Sequence, residues 1–331
     1  MKVALTGGTG FLGRRVAERL VTAGHELTLL ARSPVPWAEK LGARVVRGEL
    51  PNPAAAKLLV EGAEALVHLA GRVSRDPADG PAMYRLHVEG TRGLLEAAAT
   101  AKVRRVVLAS SSGTVGVSRT ERIATEEDDY PVEVVGRWPY YLSKIYEEKL
   151  ALSFCAERAI PLICLNPSLI LGPGDERLSS TGDVWKFLQQ DIPAMPSGGL
   201  SFVDVRDAAL AFEAALTRGR AGERHLLGGA NMPFTEFFAR LSRLTGVPPP
   251  RLRLPSRVNV WGAEALTRWA KLRGTEPPID RASVEMGECF FYVDGSKARR
   301  ELGFEPREPQ ETLRDTVRDL EARLRGQRTV R

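Results

Sequence analysis

The chain has 331 residues, enough for about two domains or lobes of ordinary size, and it can bury a sizeable core without metals or disulfides. Hydrophobic residues make up 43% and charged residues 27%, which excludes disordered, collagen-like and low-complexity classes. The formal net charge is +6 and the basic excess is mostly arginine. Because the sequence has no aromatic-interleaved basic stripe and no helix-turn-helix signature, we expect no nucleic-acid partner.

The first half of the chain alternates short β-branched runs with helical stretches. Predicted strands cover residues 3–5, 26–31, 43–47, 65–69, 105–109 and 161–166. Predicted helices cover residues 10–23, 54–61, 82–101 and 139–159. Strands that are separated by helices indicate an α/β fold with a parallel sheet covered on both faces.

The regular alternation of predicted strands and helices ends after Pro167. We expect one more strand at 201–205 followed by a helix at 207–217, and a short strand and turn at 226–229. Further helices are predicted over 235–245, 258–271 and 308–324. This second part should form a smaller, mostly helical lobe.

The three cysteines, Cys155, Cys164 and Cys289, lie far apart and form no CxxC pair, so we predict neither a zinc site nor a disulfide framework. A reducing cytoplasm fits this pattern best. The N-terminus leads directly into a strand pattern without a signal peptide, and no apolar run approaches the ~18 residues of a membrane span. We therefore expect a cytoplasmic protein with no metal and no membrane contact.

A glycine-rich turn follows the first predicted strand and opens the first predicted helix. Gly7, Gly10 and Gly13 form a G-x-x-G-x-x-G pattern. Glycines at this place let the backbone turn tightly and approach a pyrophosphate, which then faces the N–H groups of the helix N-terminus. The position of the pattern between a strand and a helix predicts a dinucleotide-binding site.

The end of the second strand bears on the choice of cofactor. A carboxylate there holds the ribose 2′-hydroxyl of NAD, whereas a basic residue accommodates the 2′-phosphate of NADP. Here the strand ends at Arg32 and Ser33, and no acidic residue is present. We therefore predict NADP(H), with NAD as the alternative. Glu49 and Leu50, after the third strand, should border the adenine.

A Y-x-x-x-K pattern lies on the predicted helix 139–159. The spacing of four residues puts Tyr140 and Lys144 on one helical face. A neighbouring ammonium favours phenolate and should lower the pKa of Tyr140, which would make the phenol a usable general acid or base. The serine run 110–112 ends the fifth strand, where a hydroxyl could orient a substrate carbonyl.

These motifs carry a resemblance that covers nearly the whole chain. TGGTGFLG at 6–13, LVHLAG at 66–71, SSSGTVG at 110–116, YYLSK at 140–144 and NPSLILGPGD at 166–175 resemble an extended short-chain dehydrogenase/reductase of the NAD-dependent epimerase/dehydratase family. The sequence is most similar to its dihydroflavonol-reductase-like members and to the hopanoid-associated sugar epimerase proteins. The resemblance implies a Rossmann doubly wound parallel sheet, a smaller substrate lobe, and a homodimer formed through the two long helices.

The resemblance assigns site residues one by one. Tyr140 and Lys144 match the catalytic tyrosine and lysine, and the catalytic serine is Ser111 in reductase-like members or Ser112 in sugar epimerases; we favour Ser111. His87 stands where many members have an asparagine that supports the active-site helix and a water. The expected cofactor-binding residues lie at the glycine turn and at the strand ends: Gly7, Thr9, Gly10, Phe11, Leu12, Gly13, Arg32, Ser33, Glu49, Leu50, Leu69, Ala70, Gly71, Pro167 and Ser168.

Two departures from the family bear on the reaction. Nucleotide-sugar dehydratases carry an Asp-Glu pair after the catalytic hydroxyl residue, where this chain has Gly113-Thr114. Epimerases usually have Arg-Asp before the F-V-x-V-x-D strand, where this chain has Leu200-Ser201, although Arg177, Arg206 or Arg257 could supply the charge.

The leading interpretation is therefore NADPH-dependent reduction of a ketone or aldehyde of a small organic substrate. Alternatives are a sugar epimerase or dehydratase with tightly held NAD(P), and a non-catalytic NADP-binding sensor. The expected division places residues 1–166 and about 201–217 in the NADP-binding domain. Residues of about 167–200 and 218–331 would form the substrate lobe.

Overall fold

A computed structural model of the chain describes residues 1–252 and 281–329, so the helix predicted over 258–271 lies outside the described residues. The strands are β1 (Lys2–Thr6), β2 (Glu26–Ala31), β3 (Arg44–Arg47), β4 (Ala65–His68), β5 (Arg105–Ala109), β6 (Leu162–Pro167), β7 (Leu169–Leu171), β8 (Gly199–Asp204), β9 (Glu223–Leu227) and β10 (Ala230–Pro233).

The helices alternate with these strands along most of the chain. They are α1 (Phe11–Thr22), α2 (Pro36–Lys40), α3 (Pro53–Val60), α4 (Gly80–Tyr84), α5 (Thr91–Thr100), α6 (Val132–Val135), α7 (Pro139–Glu157), α8 (Gly182–Leu188), α9 (Val205–Ala214), α10 (Phe234–Thr245), α11 (Arg281–Gly287), α12 (Ser296–Leu302) and α13 (Pro309–Thr329). Short 3-10 turns cover Pro77–Asp79 and Ser112–Thr114.

The larger sheet has seven strands in the order β3-β2-β1-β4-β5-β6-β9, and every neighbouring pair is parallel. Helices cover both of its faces, so central strands such as β4 and β6 are buried along their whole length. The strand order reverses between β1 and β4, and the carboxyl ends of open parallel sheets bind ligands at such a point. The predicted Rossmann doubly wound fold is confirmed.

Two apolar cores hold the helices against this sheet. One face packs α1, α9 and α12 through residues such as Leu20, Phe212 and Leu302. The other packs α3, α5 and α7 through residues such as Leu59 and Leu94. The first core places α9 against the larger sheet, although α9 follows a long excursion of the chain.

A second sheet organises the smaller lobe. Its order is β10-β8-β7, with β7 parallel and β10 antiparallel to β8. Side chains of this sheet pack with α8, α10 and α13 in a separate core that includes Phe187, Phe202 and Phe237. The lobe thus contains a small sheet beside its helices.

The structure corrects the expected division of the chain in two places. The strand predicted at 201–205 is β8, which pairs with β7 and β10 and not with the larger sheet. The chain at 223–227, which the division assigned to the substrate lobe, forms β9 and pairs with β6 as the seventh strand. Gly222 donates its N–H to the Leu162 carbonyl at 2.7 Å, which starts this pairing.

The helix predicted over 82–101 is present as consecutive helical segments with a change of pitch. Between α4 and α5, residues Arg85–Gly90 form a π-helical turn. π-helical turns are rare and often occur at functional sites. Here the turn carries His87, whose side chain is completely buried.

All three cysteines are buried and unpaired. Within the described residues, no helix combines the length and the apolar character that crossing a bilayer requires.

The packing of α9 on α1 can be tested by removing a large buried ring. Phe212 is 0% exposed, so Phe212→Ala should lower the free energy of unfolding by about 3–5 kcal/mol, as measured by urea denaturation. Leu210→Ala on the same helix is the matched control. Leu210 is 44% exposed, so its truncation should change stability by less than about 0.5 kcal/mol. Equal losses in the two variants would contradict the assignment of α9 to this core.

Candidate active site

The glycine turn has the geometry of a dinucleotide cradle. Gly7 adopts a φ of +72°, and a Cβ on it would lie 2.5 Å from the backbone of Leu69. A Cβ on Gly13 would collide with the Gly7 carbonyl, so helix α1 can approach the turn only with glycine there. Gly10 caps α1 without a side-chain hydrogen bond, and the first turn of the helix has no acidic residue. The turn therefore fits a pyrophosphate at a helix N-terminus.

The other predicted cofactor-binding residues follow the carboxyl ends of neighbouring strands. Arg32 and Ser33 end β2 and are exposed, and Glu49 and Leu50 follow β3. Leu69, Ala70 and Gly71 follow β4, and Pro167 and Ser168 end β6. These residues share one edge of the larger sheet with Thr9, Phe11 and Leu12 at the glycine turn. The structure thus brings the predicted set to one side of the molecule.

A cavity of about 430 Å³ opens beside this edge. Its sheet-side wall contains cofactor candidates and catalytic candidates together: Leu12, Leu69, Gly71, Ser111, Ser112, Tyr140, Lys144, Pro167 and Ser168. The opposite wall is mostly apolar and comes from the smaller lobe: Ile192, Met195, Phe234, Phe237, Phe238, Met286 and Phe291. A polar sheet edge and an apolar pocket thus meet at Tyr140.

Two of the predicted catalytic residues, Tyr140 and Ser111, meet at this junction. A hydrogen bond joins their hydroxyl groups and acts to lower the pKa of Tyr140. Burial has the larger effect and, together with the negative charge of Glu147, raises the pKa of Tyr140 to about 12. Ser112 is buried and begins the following 3-10 turn. The contact with Tyr140 therefore favours Ser111 over Ser112 as the serine of the set.

Lys144 is oriented differently from the sequence expectation. Its Nζ donates to the Ala109 carbonyl at 2.7 Å and forms an ion pair with Glu147, while its side chain is almost fully buried. Burial of the phenol raises the pKa of Tyr140, which is opposite to the lowering expected from Lys144. Lys144 lies beside Tyr140 with its charge already balanced by Glu147.

His87 occupies the place expected to hold an asparagine, and both of its ring nitrogens have protein partners. Nε2 accepts from the Arg72 backbone N–H at 3.0 Å, and Nδ1 lies 2.8 Å from the Ser143 hydroxyl. Ser143 in turn donates to the Tyr140 carbonyl at 2.7 Å. Burial, assisted by the charge of Lys144, lowers the pKa of His87 to about 2, so the ring is neutral. His87 thus joins the loop after β4 to the helix that carries Tyr140.

A second histidine is linked to the same charged group. His68 ends β4, and its Nδ1 and Nε2 lie 2.6 and 2.8 Å from the hydroxyls of Thr6 and Thr91. Thr91 donates to Glu147 at 3.1 Å. Burial lowers the pKa of His68 to about 3, and the Lys144 charge adds to this effect. The burial and the two hydrogen bonds of His68 indicate a structural role.

The sequence analysis missed Glu147 and Glu148, which are both 0% exposed. Glu148 accepts from Asn166 at 2.7 Å and from Thr114 and Tyr130 at 3.1 Å, so it ties α7 to β6 and to the turn after β5. The available signal was their spacing, three and four residues after Lys144 on one helix. Spacing does not reveal that both carboxylates are buried.

Of the three arginines suggested as anchors for a sugar diphosphate, Arg177 is exposed, Arg206 is engaged by carboxylates and Arg257 is not among the described residues. Arg206 makes a bidentate contact with Asp204 and a further one with Asp315 at 2.7 Å, which together raise the pKa of its guanidinium.

Comparison with protein-family models identifies the fold. The model of the NAD dependent epimerase/dehydratase family matches residues 3–228. This range contains the whole of the large sheet and every predicted catalytic residue.

Curated relatives match along almost the full length of the chain. A Synechocystis protein named as a candidate dihydroflavonol 4-reductase is 31% identical and covers 95% of this chain and 92% of its own. Sterol demethylase protein B of Methylococcus capsulatus is 30% identical, with 96% and 97% coverage. The 2-alkyl-3-oxoalkanoate reductase of Stenotrophomonas maltophilia is 27% identical, with 97% and 99% coverage.

Solved structures show the same fold. The crystal structure of gox2253 matches with a TM-score of 0.83 and 31% identity, covering 97% of this chain and 98% of that one. A nucleoside-diphosphate-sugar epimerase from Pseudomonas aeruginosa matches with a TM-score of 0.78 and 24% identity, covering 98% of both chains. The second match, at this identity, shows the fold alone.

The two buried neutral histidines make stability depend on pH. Unfolded histidine takes up a proton near pH 6.5, whereas folded His68 and His87 do not until about pH 3 and 2. The unfolding free energy should therefore be flat above about pH 7 and fall as pH drops below 6.5, by up to roughly 1.4 kcal/mol per pH unit for each histidine.

Urea unfolding of the wild type and His87→Asn between about pH 7.5 and 5 checks this. His87→Asn should reduce the slope of the unfolding free energy against pH by the amount that corresponds to the uptake of about one proton on unfolding. His25→Asn is the comparison: His25 is only partly buried and partial burial lowers its pKa, so its removal should change the slope less than removal of fully buried His87. An unchanged slope in His87→Asn would show that the folded ring already binds a proton in this range.

Proposed function

The chain belongs to the NAD dependent epimerase/dehydratase family and is an NAD(P)-dependent oxidoreductase of the extended short-chain dehydrogenase/reductase type, and we propose that it is an NADP(H)-dependent reductase of ketones or aldehydes with an apolar skeleton. The observation that carries the proposal is the hydrogen-bonded pair of Tyr140 and Ser111 at the wall of a largely apolar cavity.

The chemistry divides between the cofactor and the chain. Bound NADPH supplies a hydride to the carbonyl carbon. The Ser111 hydroxyl donates to the carbonyl oxygen and orients it, and the Tyr140 hydroxyl gives the proton that the developing alkoxide takes up. Because burial raises the pKa of Tyr140 to about 12, the phenol is protonated at neutral pH and ready to donate. Lys144, on the same helix as Tyr140, is itself held in place by the Ala109 carbonyl and the Glu147 carboxylate.

The choice of NADP(H) rests on the end of β2. Arg32 and Ser33 are exposed there and can offer a guanidinium fork and a hydroxyl to a 2′-phosphate. No carboxylate occupies the end of β2 to bind a free 2′-hydroxyl, which NAD would present.

The substrate class is inferred from the wall that faces Tyr140. Three phenylalanines and two methionines contribute to it: Phe234, Phe237, Phe238, Met195 and Met286. Such a wall favours a substrate with hydrocarbon, although the same cavity is also lined by the charged residues Arg75 and Lys186. The names of relatives agree in kind, because the 2-alkyl-3-oxoalkanoate reductase and the sterol protein are named for substrates with extensive hydrocarbon.

The cofactor proposal predicts a preference that Arg32 creates. NADPH should bind at least about tenfold more tightly than NADH in fluorescence titrations, because the guanidinium pairs with the 2′-phosphate. Arg32→Ser should weaken NADPH binding to the level of NADH and leave NADH unchanged. Arg44→Ser, at the opposite end of the neighbouring strand, is the control and should change neither constant. Equal affinities in the wild type would remove the role of Arg32.

The reaction is tested by following NADPH oxidation with aldehydes and ketones of increasing alkyl length. Turnover should improve with chain length, and Tyr140→Phe should abolish it while NADPH binding stays intact. Tyr146→Phe is the matched control, because Tyr146 is 46% exposed on the same helix.

Mass spectrometry of co-purified nucleotide accompanies this screen. A tightly held NAD(P) without net NADPH oxidation would identify an epimerase or dehydratase instead. Turnover that persists in Tyr140→Phe would show that another group supplies the proton.

A further inference from the structure

We propose that Tyr141 determines which substrates the site accepts: its ring lies in the space that Gly113 leaves open, and its hydroxyl binds a second oxygen of the substrate, close to the carbonyl that is reduced. The proposal rests on the proposed reductase function and deepens it. It narrows the substrate class to ketones and aldehydes that carry a further hydroxyl or carbonyl oxygen on one of the next two carbons. Tyr141 takes no part in the transfer of the hydride or the proton.

A missing side chain in the turn after β5 makes room for the Tyr141 ring. A Cβ on Gly113 would lie 2.0 Å from Cε1 and 2.4 Å from Cδ1 of Tyr141, far inside van der Waals contact. Gly113 does not have one of the positive φ angles that favour glycine, so the backbone conformation does not require glycine here. The close approach of the ring is therefore what requires glycine at this position.

Two further aromatic rings hold Tyr141 in place. The centroid of its ring lies 5.9 Å from that of Trp138 and 6.0 Å from that of Phe291, and the last two rings stack on each other at 6.5 Å. Trp138 is 3% exposed, and its Nε1 donates to Glu285 of α11 at 3.4 Å. A ring that is packed between a backbone turn and two aromatic side chains has little freedom. The position of its hydroxyl is therefore set before a substrate binds.

The Tyr141 hydroxyl lies among groups that line the cavity, as Tyr141 itself does. Three of these groups, Tyr140, Arg75 and Asp183, act electrostatically on it. The Arg75 guanidinium donates to the Asp183 carboxylate at 3.2 and 2.8 Å, so these two charges pair with each other. Among the residues that the structure describes, none is hydrogen-bonded to the Tyr141 hydroxyl. A polar group that lines a cavity without a protein partner is available to a ligand.

The chemistry of a phenol defines what this hydroxyl recognises. Burial, together with the neighbouring Tyr140, raises the pKa of Tyr141, so the phenol is protonated at neutral pH. A phenol donates one hydrogen bond and can also accept, so its partner is a hydroxyl or a carbonyl oxygen. The centroids of the Tyr140 and Tyr141 rings are only 5.1 Å apart, edge to face. A carbonyl held at Tyr140 and Ser111 therefore brings an oxygen on its α or β carbon toward Tyr141.

The first experiment measures binding without turnover. The full-length protein, with and without NADPH, is titrated with a secondary alkanol and with the two diols of the same chain length that carry a second hydroxyl on the α or β carbon. Tryptophan fluorescence reports binding, and NADPH does not reduce an alcohol. The wild type should bind one of the diols about threefold to tenfold more tightly than the alkanol, which is what one net hydrogen bond contributes. Tyr141→Phe should lose this preference, and Tyr146→Phe, which changes an exposed ring on the same helix, should keep it.

The second experiment tests the fit of the ring against Gly113 by thermal unfolding. Gly113→Ala should lower the unfolding midpoint by several degrees, because the added methyl group meets the ring. In a Tyr141→Ala background the same change should have little effect, so the two substitutions should be strongly non-additive. Gly93→Ala is the control, since a Cβ on Gly93 would meet no neighbouring atom within 4 Å. Gly113→Ala displaces the ring and should lose the diol preference as well. Additive effects of the two substitutions would overturn the placement of the ring.

The outcomes of the diol titration decide the proposal. A diol preference that is lost in Tyr141→Phe and kept in Tyr146→Phe supports it. An equal preference in Tyr141→Phe and the wild type overturns it, and so does a wild type that binds diols and alkanol equally, because the hydroxyl would then bind water only. A failed screen of carbonyl substrates would overturn the reductase function alone, since diol binding needs no turnover. Once a substrate is known, the ratio of kcat/KM for a hydroxy ketone to that for the plain ketone should fall about threefold to tenfold in Tyr141→Phe.

Discussion

The burial of charged side chains on one helix is the constraint on which the rest of the structure depends. Lys144, Glu147 and Glu148 lie within five residues of α7 and are all buried, and buried charges need partners. Glu148 finds them in β6, in the turn after β5 and in Tyr130, while Glu147 finds them in Lys144 and Thr91. These hydrogen bonds and the ion pair fix α7 against the carboxyl ends of the strands. The position of Tyr140 next to Ser111 is a result of that fixation.

The two sides of the cavity use different physics. On the sheet side, hydrogen bonds with defined partners hold the side chains of Lys144 and His87 in single rotamers. On the side of the smaller lobe, apolar contacts dominate, and these tolerate changes of shape as long as volume is conserved. Under the proposed function, such a chain can keep its chemistry while the apolar part of the substrate changes.

The sequence predicted the features that depend on local pattern. Strands β2 and β5 begin and end at the predicted residues, 26–31 and 105–109, because short, mostly apolar runs between turns leave little alternative. The glycine turn was predicted from its place between a strand and a helix. The structure agrees, because Gly7 and Gly13 have no room for a side chain. Tyr140 and Lys144 followed from their spacing on a helix. The Lys144 contacts did not, because they depend on Glu147 and on a carbonyl of β5.

What the sequence could not predict depends on distant pairings. β7 has three residues and β10 ends in Pro233, so neither shows a strand pattern, and both exist because β8 lies between them. The short strand predicted at 226–229 is present as β9 at 223–227, but its place beside β6 in the large sheet was not predicted. Edge strands of this kind are set by the partner that covers them and not by their own composition.

His87 shows how one substitution can be absorbed by the backbone around it. An imidazole is larger than the amide expected at this position, and it lies on a π-helical turn, which adds a residue to the helical repeat. From there its two nitrogens reach Arg72 on one side and Ser143 on the other, so that no ring nitrogen is left unpaired. A charged imidazole could not accept the Arg72 N–H, and the neutral ring therefore follows from the geometry as well as from burial. The wider turn makes room for the ring, and the neutral ring can both accept from Arg72 and bond to Ser143. Together they keep the loop after β4 in contact with the helix that carries Tyr140.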